Sequence, residues 1–265
     1  MDVVLEARQL AKAYGVGTDA LQVLGGISFA VSRGEFVSIV GPSGCGKTTL
    51  LFALAGLQKA STGTVTFNGR SVTAPPRGVA VVFQDYSRSL FPWKSNRDNV
   101  AFGMVRVEGL SSAQKRDKAQ EMLEAVGLQG FEDKYPWQLS GGMQQRVAIA
   151  RGLASQSELL LLDEPLAAVD AQTRADMQDL LLDLAVRFQQ TCLLVTHDVE
   201  EAVYMADRVV VLTRRPTVVD HEVPINLGKR RDQITTREDP RFLAARHDVM
   251  MSIRSSRTAA PATAA

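Results

Sequence analysis

A chain of 265 residues with 45% hydrophobic side chains is long enough to bury a full core, as one large domain or as a domain carrying an inserted lobe. Its 30 basic and 29 acidic side chains nearly cancel, to a formal charge of +1, which excludes bulk attraction to nucleic acid or an anionic bilayer. No apolar run approaches the ~18 residues of a membrane span, and the start MDVVLEARQL lacks the basic and apolar regions of an export signal, so a soluble protein is expected.

From the N-terminus, Leu5 and Ala7 alternate with Glu6 and Arg8, and Ile27, Phe29 and Val31 alternate with smaller or polar residues, which is strand periodicity. Val65 and Phe67 repeat it before the hairpin turn Asn68-Gly69, so these segments predict an antiparallel β layer. The runs FVSIV (36–40), VAVVF (79–83), LLLL (159–162) and CLLVT (192–196) are continuously apolar, as in strands buried on both faces of a parallel sheet. Between Gln84 and Leu159 the pattern is helical: Ser112 is placed to cap one helix, Gly127 to end it, and Met143, Val147, Ala150 and Ala154 mark another. After Leu212 the chain reads as charged and irregular through GKRRDQ, and the end RTAAPATAA is expected to be disordered.

The sequence GPSGCGKT fits the phosphate-loop pattern G-x-x-x-x-G-K-[ST] and lies between an apolar strand and a helical segment, the context that pattern requires. Gly41, Pro42, Ser43, Gly44, Cys45 and Gly46 would wrap a β-phosphate with backbone N–H groups. Lys47 would reach the β and γ oxygens, the Thr48 hydroxyl would ligate Mg²⁺, and Thr49 completes the turn. Cys45 is open to two readings, a reactive thiol beside a helix N-terminus or a small residue that fits the loop. Cys45 and Cys192 lack metal or disulfide spacing, which fits a reducing cytoplasm.

In LLLLDEP, Asp163 and Glu164 leave the end of a buried strand, where open α/β sheets bind ligands. Asp163 is expected to hold Mg²⁺ and Glu164 to polarise a water for attack on the γ-phosphorus; the alternative is a pair of helix-capping carboxylates. LSGGMQQR (139–146) is a second glycine-rich helix start, whose Ser140 and the N–H groups of Gly141 and Gly142 offer an anion site or, alternatively, only a cap. His197 follows the last apolar strand, with Asp198 and Glu201 at capping-box spacing, and is a candidate γ-phosphate sensor; His221 and His247 read as surface residues.

Tyr14, GPSGCGKT, Gln84, LSGGMQQR, LLLLDEP, the turn ending at Asp170 and His197 occur in the order and approximate spacing of an ABC transporter nucleotide-binding subunit, which residues 3–215 resemble. The resemblance implies an α/β fold: a P-loop NTPase core with a mainly parallel central sheet, an antiparallel β layer and an inserted α-helical lobe near 88–155, within a nucleotide-binding domain over 1–235. Residues 236–265 would form a C-terminal extension. It implies an ATPase using ATP and Mg²⁺ as a head-to-tail dimer, each ATP lying between one copy's phosphate loop and the other's Ser140, Gly141, Gly142 and Gln144. That arrangement explains two anion-binding turns in one chain.

The same resemblance gives Tyr14 the adenine stack and Gln84 contacts with Mg²⁺ and attacking water, and places Asp170 on the loop crossing the dimer seam. Relatives often read S-A-L-D there; here the residues are Ala167, Ala168, Val169 and Asp170, so the serine hydroxyl is absent. FQDYSRSLFPWKS and EPLAAVDAQTR resemble importer subunits for nitrate, sulfonates and taurine. They imply a membrane permease contacted near Leu90, Phe91, Pro92 and Trp93, a separate solute-binding protein, and a peripheral position on the cytoplasmic face of the inner membrane. The alternative is a soluble ABC-type ATPase acting on DNA or ribosomes. It is disfavoured because the lobe is short and mixed in charge, and no nucleic-acid partner is expected.

Overall fold

The computed structural model describes residues 2–15, 17, 20–167 and 169–258, with the backbone alone described at 86, 87, 257 and 258. The chain divides into two compact units, Met1–Pro76 with Leu193–Ala265, and Arg77–Cys192.

In the first unit, β1 (Val3–Tyr14) and β2 (Leu21–Ser32) pair antiparallel, and β1 pairs antiparallel with β4 (Thr62–Phe67) on its other edge. β5 (Arg70–Ser71) closes this sheet through Asn68-Gly69, whose φ angles of 48° and 72° are the positive pair that a tight hairpin demands. The other sheet of this unit runs β10-β9-β3-β8, from β3 (Phe36–Val40), β8 (Thr191–Val195), β9 (Arg208–Leu212) and β10 (Val219–Pro224). β3 and β9 are parallel, in register from Val37 opposite Arg208 to Val40 opposite Val211. All residues of β3 and β8 are buried, which is why both read as runs that are apolar apart from the small Ser38 and Thr191.

The segment after Leu212, read from the sequence as charged and irregular, carries regular elements. β9 itself is an apolar run of the same kind as the four identified, β10 pairs antiparallel with it, and α9 (Pro240–Thr258) packs against α7 (Val199–Met205) and β10. The apolar stripe of α9 is narrow: Phe242, Ala245 and Val249 are buried while Leu243, Met250 and Met251 stay exposed, so charged neighbours mask its helical period. Within GKRRDQ, Arg231 is a buried anchor whose guanidinium donates to the carbonyls of Val203, Tyr204 and Ala206 at the end of α7. α8 (Thr235–Glu238) precedes α9, and Arg237 and Arg246 both pair with Glu200 of α7. The expectation of disorder covers RTAAPATAA, 257–265: the backbone of 257 and 258 is helical, as the end of α9, against that expectation, and 259–265 lie outside the described residues.

In the second unit, β6 (Val79–Val82) and β7 (Leu159–Asp163) are parallel, and α3 (Asn96–Gly103), α4 (Ser112–Ala125) and α5 (Gly141–Ala154) pack on one another. The sequence-expected lobe, 88–155, lies inside this unit. Met104, Leu123, Val147 and Ile149 form its fully buried centre. Ser111, not Ser112, caps α4: the Ser111 hydroxyl accepts from the N–H of Gln114, and the Gln114 side chain accepts from the N–H of Ser111. Gly127, at φ 71°, ends α4 as read, and the N–H groups of Gly127 and Leu128 return to the carbonyls of Glu124 and Leu123 at 2.9 and 2.8 Å.

Candidate functional site

The phosphate loop runs from the end of β3 into α1 (Lys47–Leu54). Gly46, with φ 115°, is in a conformation that L residues avoid, and a Cβ there would lie 2.5 Å from Val23 Cγ1. Only glycine lets the chain turn into the helix here. Lys47, 6% exposed, folds over the loop and donates to Gly41 O at 3.1 Å and Pro42 O at 3.4 Å. Cys45 is buried and its N–H donates to Pro42 O at 3.2 Å; burial pushes its thiol above the ordinary cysteine range, against the opposing pull of Lys47. Of the two readings of Cys45, the packing residue fits this environment. Ser43, Gly44 and Thr48 are exposed, and Pro42, Ser43, Gly44, Cys45, Arg214 and Arg215 line a recess of about 470 Å³.

Tyr14, at the end of β1, is 41% exposed. Its hydroxyl is hydrogen-bonded with Thr49 of α1 and accepts from Gln58 Nε2 at 2.5 Å; the Thr49 bond is the main cause that lowers the phenol below its ordinary range. The candidate base-stacking ring and the phosphate-loop helix are thus tied together. The Lys12 ammonium sits 5.1 Å from the Tyr14 ring centroid, over one face of the ring. His197 follows β8 and is exposed. Asp198 Oδ1 accepts from the N–H groups of Glu200 and Glu201 at 2.9 and 3.1 Å, which pins the turn beside the imidazole. The Glu201 carboxylate does not return to Asp198; it accepts from Thr196 Oγ1 at 2.6 Å, and Thr196 Oγ1 accepts from Asp198 N–H at 3.1 Å. A threonine relay replaces the expected reciprocal box.

The remaining candidates belong to the second unit. Gln84 is exposed just after β6. Asp163 is buried at the end of β7, and Glu164 next to it is half-buried with a backbone φ of 42°, the left-handed region. Ser140 is the N-cap of α5, its hydroxyl accepting from Met143 N–H at 3.4 Å; Gly141 is exposed, Gly142 half-buried, and the Gln144 side chain donates to Leu139 O at 3.2 Å. Asp170 caps α6 (Ala171–Arg187), accepting from Thr173 N–H at 3.0 Å and Thr173 Oγ1 at 2.7 Å, and these bonds lower its carboxyl below the usual range. Ala167 is exposed and Ala168 lies outside the described residues.

The Leu90 to Trp93 cluster is split by the structure. Leu90 is 2% exposed and belongs to the interior, whereas Trp93 is 71% exposed and Phe91 meets Trp93 at a tilt and Phe102 edge-to-face, at centroid distances of 5.5 and 4.7 Å. Asn99, fully buried, braces this segment: its side chain accepts from Phe91 N–H at 2.8 Å and donates to the carbonyls of Phe91, Lys94 and Ser95, each at 3.1 Å. Sequence reasoning passed over Asn99, and also over Arg215 and Thr217 beside the phosphate loop. Only the pair Arg214-Arg215 after an apolar run hinted at the latter.

The sequence profile of the ABC transporter family matches residues 24–167, from β2 through the carboxylate pair. The chain belongs to the ABC transporter family. As such it is an ATP-binding protein and an ATPase. This ABC chain is 42% identical, over 97% of its length and 99% of the relative's, to the taurine import ATP-binding protein of Escherichia coli K12. It is 45% identical to the nitrate import ATP-binding protein of Synechocystis, covering 84% of this chain and 83% of that one. An uncharacterized ABC transporter ATP-binding protein of Methanocaldococcus jannaschii is 46% identical, over 88% and 86% of the two chains. Among solved structures, a dimeric ATP-binding cassette in a post-hydrolysis state with ADP and Pi superposes with TM-score 0.74 at 30% identity, covering 84% of this ABC chain and 99% of that one. CbiO1 of Clostridium perfringens, part of an ABC transporter complex, gives TM-score 0.76 at 26% identity, covering 97% and 98%. The α/β P-loop fold read from the motifs is the fold of these cassettes.

Proposed function

We propose that this chain is the ATP-hydrolysing subunit of an importer for a small anionic or zwitterionic solute of the taurine or nitrate kind. It would work as a head-to-tail dimer on the cytoplasmic face of the inner membrane, beside a permease and a separate solute-binding protein. The observation that carries this reading is the 42% identity to a taurine import subunit, which extends over 97% of the chain and so includes the lobe as well as the phosphate loop. The transporter relatives favour it over action on DNA or ribosomes. Among the described residues no helix is long and apolar enough to cross a membrane, and the exposed Trp93 and Phe102 rings, with the half-buried Phe91 between them, supply an apolar surface for a permease.

In this reading the phosphate-loop amides and Lys47 hold the β- and γ-phosphates, Tyr14 stacks on adenine, and Glu164 accepts a proton from the attacking water. Gln84 orients that water and His197 donates a hydrogen bond to the γ-phosphate. Ser140, Gly141, Gly142 and Gln144 of the second copy close over the same phosphate, and Asp170 lines the seam. The hydroxyl of Thr48, the amide oxygen of Gln84 and the carboxylate of Asp163 are hard oxygen donors, a set that suits Mg²⁺. When bound, Mg²⁺ supplies neutralisation of phosphate charge. The test is purification from membranes in mild detergent: a permease accompanying this chain is expected, and ribosomes or DNA in its place would overturn the proposal.

A further inference from the structure

A loop that binds phosphate must turn its N–H groups inward and its carbonyl oxygens, which repel anions, away. In a planar trans peptide the C=O of one residue and the N–H of the next point in opposite directions, so fixing one fixes the other. Here two successive carbonyls of the phosphate loop are held from outside by the turn between β9 and β10. Arg215 Nε donates to Gly44 O at 2.6 Å, and the Thr217 hydroxyl donates to Cys45 O. With Cys45 O held, the N–H of Gly46 faces the opposite side of its peptide. With Gly44 O held, the N–H of Cys45 faces the opposite side of its peptide and donates to Pro42 O at 3.2 Å, which fixes the turn inside the loop.

The turn is itself immobilised. Thr217 is fully buried, its N–H donates to Val23 O at 2.9 Å, and its carbonyl accepts from Gly25 N–H at 2.7 Å, a short bridge onto β2. Arg215 is exposed, so its bond to Gly44 adds little to the core. We infer that Arg215 and Thr217 are positioning residues for ATP: they clamp the carbonyls of Gly44 and Cys45 and thereby preset the phosphate loop for anion binding. The inference rests on the reading that this loop holds the ATP phosphates.

The test is calorimetric binding of MgATP and steady-state hydrolysis with the full chain. Arg215→Ala and Thr217→Val should each raise the Kd about three- to tenfold, the worth of one hydrogen bond. The loss should appear in KM more than in kcat, and Thr217→Ser should return the Kd to within about twofold of wild type, because it restores the hydroxyl. The nucleotide-free melting temperature of Arg215→Ala should not move, which separates presetting of the loop from general stability; if Thr217→Val fails to fold, Arg215→Ala carries the test alone. Lys47→Ala is the control for the underlying reading. If Lys47→Ala loses ATP while Arg215→Ala binds within about twofold of wild type, the clamp is refuted; if Lys47→Ala binds normally, the phosphate-loop reading fails and the clamp with it.

Discussion

Ser140 stands at the start of α5, and a pair of substitutions separates what it does for the helix from the role proposed for it at ATP. Its hydroxyl accepts from Met143 N–H at 3.4 Å, longer than the ~2.9 Å of a good bond, so its capping value belongs at the low end of the usual range, about 0.5–1 kcal/mol. Ser140→Ala should therefore lower the melting temperature by about 1–4 °C. Ser140→Asp keeps an acceptor at the cap and adds a negative charge at the positive end of the helix, worth about 0.3–1 kcal/mol, so this variant should melt no lower than wild type. In the shared site proposed above the order should reverse. A carboxylate about 4 Å from a phosphate charge at an effective dielectric constant of about 20 is disfavoured by about 4 kcal/mol, or roughly a thousandfold. Ser140→Asp should therefore fail to dimerise with MgATP and lose at least a hundredfold in turnover, while Ser140→Ala, which keeps the glycine N–H groups, should lose about tenfold. Thermal melts without nucleotide, gel filtration with MgATP and an ATPase assay complete the test. A Ser140→Asp protein that hydrolyses ATP at the wild-type rate would refute the shared site.

Glu164→Gln should bind ATP but turn over at least ~10²-fold more slowly and accumulate as an ATP-bound dimer; a monomer in gel filtration with MgATP, or an unchanged rate, counts against Glu164 as the base. In linked dimers, Lys47→Ala and Ser140→Arg on opposite chains put both lesions in one site and leave the other whole, whereas the same changes on one chain damage both sites. ATP occlusion should survive only in the opposite-chain arrangement, and the reverse ranking would show that each chain completes its own site. Because burial raises the Cys45 thiol, its thiolate fraction at pH 8 lies below that of a free cysteine, and alkylation in the native chain should run at least about tenfold slower than in urea and climb with pH beyond the ordinary thiol range. Mass spectrometry of the Cys45 peptide over time checks this, and equal native and denatured rates would contradict it.

The parts of the fold built from strong local pattern were legible in the sequence. FVSIV is β3 to the residue, because a strand buried on both faces is nearly all apolar, with the small Ser38 its one polar side chain. The phosphate loop and the cap at Ser140 carry their geometry in glycine and serine themselves. What stayed hidden depends on partners distant in sequence. α9 buries only a thin stripe and is held by pairing of Arg246 with Glu200, while Arg231 reads as one more charge in GKRRDQ until its guanidinium is seen against the carbonyls that end α7. Thr217 donates to Cys45, 172 positions away in sequence, and nothing in the local pattern TRRPTV signals that reach. Leu90 and Trp93 differ by burial alone, which a row of apolar letters does not encode.

With Glu164 as the proposed base, its positive φ sets thermostability and catalysis against each other at one position. Left-handed backbone costs an L residue about 1–2 kcal/mol that glycine avoids, and asparagine tolerates it better than glutamate. A directed-evolution campaign scored only on resistance to heat would therefore tend to enrich glycine or asparagine at 164, and its winners would be durable ATP-holding proteins with little turnover. Any stabilised version of this ATPase should be selected with hydrolysis in the screen, or with codon 164 left out of the library.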